Sequence, residues 1–103
     1  MMREDLQERR RQWEDAERRQ KAENDRESLL LAKAVAEVVK RMRKEIGLSQ
    51  EKLAELVGIH RTYMGLVEGG KNVITIRTAQ RLCQALAITM PEFFEMVEKQ
   101  LQS

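Results

Sequence analysis

Few side chains in this chain are equipped for bond-making chemistry. His60 and Cys83 are the sole histidine and the sole cysteine of 103 residues, and the carboxylates are dispersed along the sequence. No nucleophile, base and orienting group can be assembled from them, so an enzyme is the poorest of the functional readings. One cysteine makes no internal disulfide. One Cys with one His makes no metal-ligand cluster, and no cofactor is implied. Cys83 falls on an apolar helical stripe and reads as a small buried hydrophobe. What is left is recognition through charge and hydrogen bonds.

Charge alone does not name the partner. The net charge is +2, unevenly distributed: residues 1–28 hold 8 Lys/Arg against 9 Asp/Glu, and the rest of the chain holds 11 against 8. A nucleic acid is permitted by so mild an excess, and local placement has to decide. Charged residues make up 35% and aromatics 4%, a balance that suits a helical protein with a Leu/Ile/Val/Met core rather than a sandwich or barrel. No apolar run approaches a membrane span. The charged N-terminus is no signal peptide, and a reducing, cytoplasmic setting is expected.

The elements that must position any site follow from periodicity and punctuation. Residues 1–28 are almost all charged or polar, with acid-to-base pairs four apart at Asp5–Arg9, Glu14–Arg18, Asp15–Arg19 and Glu17–Lys21. Leu6 and Trp13 are the sizeable apolar anchors, too few for a coiled coil. This stretch reads as a charged helical extension. Solvated helix, partner-binding or dimer-extending helix, and DNA-touching arm through Arg9, Arg10 and Arg11 are its open roles. From residue 29 the pattern changes. Leu31, Val35, Val38, Met42 and Ile46 define one buried helical face. Ser49 caps a short second helix with Leu53, Ala54 and Val57 inward, ended by Gly58. A third helix runs from near His60 to Glu68 with Met64 and Val67 inward, ended at Gly69-Gly70. Thr75 caps a fourth with Ile76, Ala79, Leu82, Cys83 and Leu86 inward. Thr89-Met90-Pro91-Glu92 is a capping box for a fifth, which carries Phe93, Phe94, Val97 and Leu101. No stretch shows period-two alternation, so no sheet is expected. The fold class is all-α: a five-helix domain at 29–103 behind a helical extension at 1–28.

The second and third helices have the spacing of a helix-turn-helix, in which the first helix crosses the DNA backbone and the second lies in the major groove. Ala54 is small where the helices cross, Gly58 makes the turn, Ile59 plugs it into the core and Val67 anchors the second helix. From about Val38 to Phe94 the chain resembles the lambda-repressor/Cro-type helix-turn-helix family. The resemblance is carried by Met42-Arg43, Gly47-Leu48-Ser49-Gln50, Leu53-Ala54, Gly58-Ile59, Val67-Glu68 and Ala85-Leu86 before Ile88. His60-Arg61-Thr62-Tyr63 and the following loop length look like the controller proteins of restriction–modification systems.

That likeness implies a homodimeric transcriptional regulator on a two-fold operator in double-stranded DNA. It implies that Gln50 bonds a phosphate, that Arg61 and Thr62 face base edges beside Tyr63, and that Lys71 and Asn72 hold phosphates. Helical spacing then brings Gly65, Leu66 and Gly69 to the same side. The glycines offer no side-chain readout, and Leu66 either meets thymine methyls or is simply an exposed leucine. His60 stands at a cap position and reads as a cap or a phosphate contact rather than a pH switch. Arg43 and Glu68 are implied to pair. Ile74, Ile76, Phe94 and Val97 are the implied dimer-interface residues. The competing function is a protein-interaction module, an antitoxin or adaptor whose N-terminal helix holds a protein partner.

Overall fold

Capping chemistry decides where most of the helices begin. In the computed structural model, which describes residues 2–17 and 21–103, Ser49 accepts the Lys52 backbone N–H at 3.0 Å and opens α3 (Gln50–Val57). His60 opens α4 (Arg61–Glu68), its Nδ1 accepting the Thr62 N–H at 3.0 Å. Thr75 opens α5 (Ile76–Leu86). Thr89 and Glu92 form a reciprocal capping box for α6 (Met90–Gln102), each side chain accepting the other's backbone N–H at 3.1 Å. The expected caps at Ser49, Thr75 and Thr89 are all present. Upstream lie α1 (Met2–Glu17) and α2 (Lys21–Ile46). There is no strand among the described residues, and no described helix is long and apolar enough to cross a membrane. The Glu14–Arg18, Asp15–Arg19 and Glu17–Lys21 pairs lie outside the described residues. The ion pair Arg10–Glu14 joins successive turns of α1 at 3.6 Å.

One core unites α2 to α6. Val35, Val38 and Val39 of α2 meet Leu53, Ala54 and Val57 of α3, Met64 of α4, Leu82, Cys83 and Leu86 of α5, and Phe93 and Val97 of α6. Met42, Leu48, Ile59 and Ile88 pack around it. The most extensive helix contact is between α2 and α6. Cys83 is a buried member of this core, and burial pushes its thiol pKa up.

Three expectations about burial are corrected. The α2 stripe is buried only in its middle: Leu31 and Ile46 are exposed, because the helix runs past the core at both ends. Ile76 is 78% exposed rather than inward, since it is the first residue after the Thr75 cap, where α5 has not yet reached the core. Val97 is 2% exposed. It fills the protomer's own core against α2 and so drops out as a dimer-interface residue.

Two glycines are required by geometry. Gly58, at φ 81°, turns the chain between α3 and α4, its N–H donating to the carbonyls of Ala54 and Glu55. Gly70, at φ 68°, lets the chain after α4 press on α2: a Cβ there would lie 3.1–3.2 Å from the Lys33 Cγ and Cα. A side chain at either position would cost the left-handed backbone penalty, and at Gly70 a steric one as well.

Candidate nucleic-acid interface

In the helix pair α3–α4, Ala54 of α3 is buried, and Met64 and Val67 bury the inner face of α4. The pose of α4 is then fixed by one polar clamp. Glu68, at the last turn of α4, is the buried charged residue among those described, its side chain 4% exposed. Arg43, in the last turn of α2, grips it bidentately: Nε to Oε2 at 2.7 Å and Nη2 to Oε1 at 2.9 Å. The third guanidinium nitrogen donates to the Leu48 carbonyl at 2.8 Å, tying in the loop before α3. Gln50 Nε2 adds a bond to Glu68 Oε1 at 3.2 Å. The hydrogen bond to Glu68, ahead of the cost of burial, pushes the Arg43 pKa up. No buried side-chain polar atom among the described residues lacks a partner. A planar fork matched to a carboxylate is a strong, orientation-setting contact.

The outer face of the pair is polar and open. His60, Arg61 and Thr62 are exposed at the start of α4, Tyr63 and Gly65 are half-buried, and Leu66 is exposed one turn further on. Lys71 is exposed and Asn72 half-buried in the loop that follows. Because Nδ1 of His60 accepts the Thr62 N–H, the ring's proton sits on Nε2, which leaves a donor at the tip of the helix. The cap expected at His60 is therefore present. Gln50 is placed at the junction, its amide turned toward Glu68 while its Oε1 faces Gly65, where a Cβ would lie 3.8 Å away.

Sequence reasoning missed one member of this face. Glu51, on the first turn of α3, reaches Arg61 Nη1 at 3.7 Å, both side chains well exposed. From the sequence, its acid sign favours only its own helix N-terminus. The spacing of ten residues from Arg61 is not a helical one, so no periodicity signals the pair. An exposed ion pair of this kind contributes about 0–1 kcal/mol, and its effect is to orient Arg61 rather than to hold the fold. The surface as a whole presents a forked cation, a hydroxyl, an imidazole N–H and a leucine from one rigid helix. That set can bond to base edges and phosphates.

The remaining candidates lie elsewhere. Ile74, half-buried, and Ile76 and Phe94, exposed, gather at the meeting of α2, the α4–α5 loop and α6, away from the α4 tip. Trp13 is 61% exposed on α1, and Leu6 is exposed on the same helix.

Known proteins share the helix-turn-helix sequence and fold. The helix-turn-helix family model matches residues 39–93. The control protein C.SmaI of Serratia marcescens is 43% identical over 58 residues, which span 56% of this chain and 69% of that protein. The control protein C.MunI of a Mycoplasma species is 35% identical over 63 residues, 60% of this chain and 85% of its own. Among solved structures, the restriction-modification controller protein C.Esp1396I, crystallised as a tetramer with its natural 35 base-pair operator, is similar with a TM-score of 0.66. It is 32% identical, and the match covers 71% of this chain and 96% of that one. The family match takes in more than half of the sequence, from the last third of α2 to the start of α6, and includes both α3 and α4. The chain belongs to the helix-turn-helix family.

Proposed function

We propose that this protein is a sequence-specific transcriptional regulator that binds a two-fold DNA operator as a homodimer, with α4 in the major groove. The observation that carries the reading is the contrast on α4: its inner face is locked by Arg43–Glu68, and its outer face presents Arg61 and Thr62 to solvent at the helix start. Arg61 would take a guanine edge bidentately, and Thr62 a thymine methyl or polar edge. The His60 Nε2–H, the second N–H of the Gln50 amide, Lys71 and Asn72 would take phosphates and set register. Tyr63, half-buried beside them, lies close enough in sequence to brace the readout, and Leu66 offers an apolar contact to thymine. Gly65 and Gly69 add no side-chain readout, so specificity leans on half-site spacing and DNA shape.

In this reading residues 29–103 are the DNA-binding unit and residues 1–28 an extension. The division is one of composition, since α2 runs unbroken through Ser28. The homodimer would form through Ile74, Ile76 and Phe94. The protein acts by binding, not catalysis, in the cytoplasm where its DNA lies. A second reading, an adaptor or antitoxin held to a protein partner through residues 1–28, is favoured by exposed Trp13 and Leu6, which lie outside the family match.

Selection of bound duplexes from a random pool, with the mass of the complex measured alongside, tests the first reading. An enriched inverted repeat bound by two copies is expected. Enrichment of no sequence, or of a single half-site bound by one copy, overturns it.

A further inference from the structure

Two lysines meet at the turn that closes α4. Gly70 packs directly on Lys33 of α2: a Cβ at Gly70 would lie 3.1 Å from the Lys33 Cγ and 3.2 Å from its Cα. Lys71 comes next in the chain, and its Cγ would lie 3.7 Å from a Cβ at Gly69. Both lysines are exposed. Their stems are laid against one pair of glycines, and their ammonium groups are left to the solvent side, as is usual for long basic side chains.

Among the described residues, no intramolecular partner explains the two charges. The carbonyls of Gly65, Leu66 and Val67 at the end of α4 accept the backbone N–H groups of Gly69, Lys71 and Gly70 at 2.9–3.1 Å, so neither ammonium is needed as a cap. Glu68 is held by Arg43 and Gln50. The carboxylate within helical reach of Lys33 is Glu37, one turn on, and it pairs with Lys40 at 3.5 Å. No ion pair or hydrogen bond within the described chain engages the ammonium of Lys33 or of Lys71.

Two like charges brought to one turn repel, and an anion held between them reverses the sign of that interaction. The turn follows directly on α4, the proposed reading helix, and the anion in reach there is a phosphate of the DNA backbone, which lysine binds as a point charge. We propose that Lys33 of α2 and Lys71 of the α4–α5 loop together grip one backbone phosphate of the operator, so that α2 touches DNA as well as holding α4. The inference rests on the DNA-binding reading and deepens it, because Lys33 lies outside the family match at residues 39–93. It also bears on the extension. Lys33 lies twelve residues from the start of α2 at Lys21, about 18 Å of helix at 1.5 Å per residue, so that stretch of α2 departs from the side of the duplex.

Lys33→Gln in the full chain tests the grip, with the duplex enriched by selection as the probe. Lys33 is exposed, and an unchanged urea midpoint checks that the fold is retained. The plot of log binding constant against log salt concentration should become shallower by about 0.9, the value for one phosphate contact. Binding should weaken by the same factor for the operator and for its single-base variants, and Lys33→Arg should keep the parent's slope. Replacing the phosphates one at a time by uncharged methylphosphonates should find one position per half-site where the parent loses affinity and neither Lys33→Gln nor Lys71→Gln loses more. An unchanged salt slope overturns the grip, and if the urea midpoint falls at the same time Lys33 is a prop for the Gly70 turn. A shallower slope with equal methylphosphonate losses in parent and variant at every position also overturns it, since Lys33 then adds only to the general field. A parent that enriches no duplex overturns the DNA-binding reading itself, and the grip with it.

Discussion

Along α4 the inward residues Met64, Val67 and Glu68 are buried and interlocked, and the outward residues Arg61, Thr62 and Leu66 are exposed. The inner face buries a carboxylate and supplies it with three nitrogens from α2 and α3. The outer face has one weak ion pair and a one-bond cap. The difference teaches how a helix of eight residues, too short to be stable alone, can serve as a rigid reading head. Its pose is held from behind by packing and by one bidentate clamp, so its front is left to the ligand. Changes behind should therefore alter stability, and changes in front should alter binding.

The clamp is where the largest effect is expected. Glu68→Ala leaves the Arg43 guanidinium half-buried with only the Leu48 carbonyl as partner, and Arg43→Ala leaves a buried carboxylate with only Gln50. Breaking a buried pair from one side costs about 3–5 kcal/mol. Urea denaturation should show that loss for either variant, and a loss under about 1 kcal/mol, the scale of an exposed pair, would mean that the inner face does not set the pose. Because the pair links α2, α3 and α4, DNA affinity should fall with it. The coupling is one-way: loss of the pose carries loss of binding, but not the reverse.

Arg61→Ala tests that reverse direction. Arg61 is exposed and paired only across the turn to Glu51, so its removal should leave the denaturation midpoint within the usual scatter of surface changes, about 0.5 kcal/mol. Operator binding should weaken by about 1–3 kcal/mol, with preference lost at one base pair per half-site. Competition binding against single-base operator variants is the measurement. Unchanged preference would place the reading head elsewhere on the surface.

How much of this was legible before the fold was known divides along the same line. Helix starts were legible because an N-cap is decided by a side chain and the backbone three residues on, as at Ser49, Thr75 and Thr89. The turn at Gly58 and the anchor at Val67 were legible because spacing fixes them. Lengthwise extent was not: periodicity told which face of α2 is inward but not that the core stops short of Leu31 and Ile46. The phase at a helix start was not legible either, which is why Ile76 points out. Partners across the turn, such as Glu51 with Arg61, depend on how two helices are set against each other, and helical spacing does not signal that.

Gly65 lies between the two faces, helical and half-buried, and a Cβ added there would meet nothing nearer than Gln50 Oε1 at 3.8 Å. Gly65→Ala should therefore fit without strain and raise stability by about 0.5–1 kcal/mol through helix propensity. Its effect on operator affinity sharpens the comparison. A stability gain with undiminished affinity means that DNA keeps its distance at Gly65. A gain coupled to a loss of affinity of about tenfold or more means that DNA approaches the α4 backbone there, as glycine permits.

The smallest effect is expected at a site on neither face, the capping box of α6. Hydrogen bonds from the Thr89 hydroxyl and, next, the Thr89 backbone N–H hold the Glu92 carboxyl below the ordinary glutamate value of 4.5. A group whose pKa is lowered by folding adds stability that is present above its unfolded value and is lost as pH falls through the folded one. The stability difference between the parent and Glu92→Gln should thus be level from neutrality down to about pH 5. It should then shrink as acid protonates the folded carboxyl. Operator affinity at neutral pH should be the same for both proteins. Helix α6 packs chiefly on α2 and α5, so loss of the box frays one turn of α6 without reaching Arg43 or Glu68. A stability difference that grew on acidification would mean that Glu92 is held by something other than the two Thr89 bonds. A fall in affinity would mean that the α6 start is coupled to the reading head, and the separation of back from front on α4 would then have to be redrawn to include it.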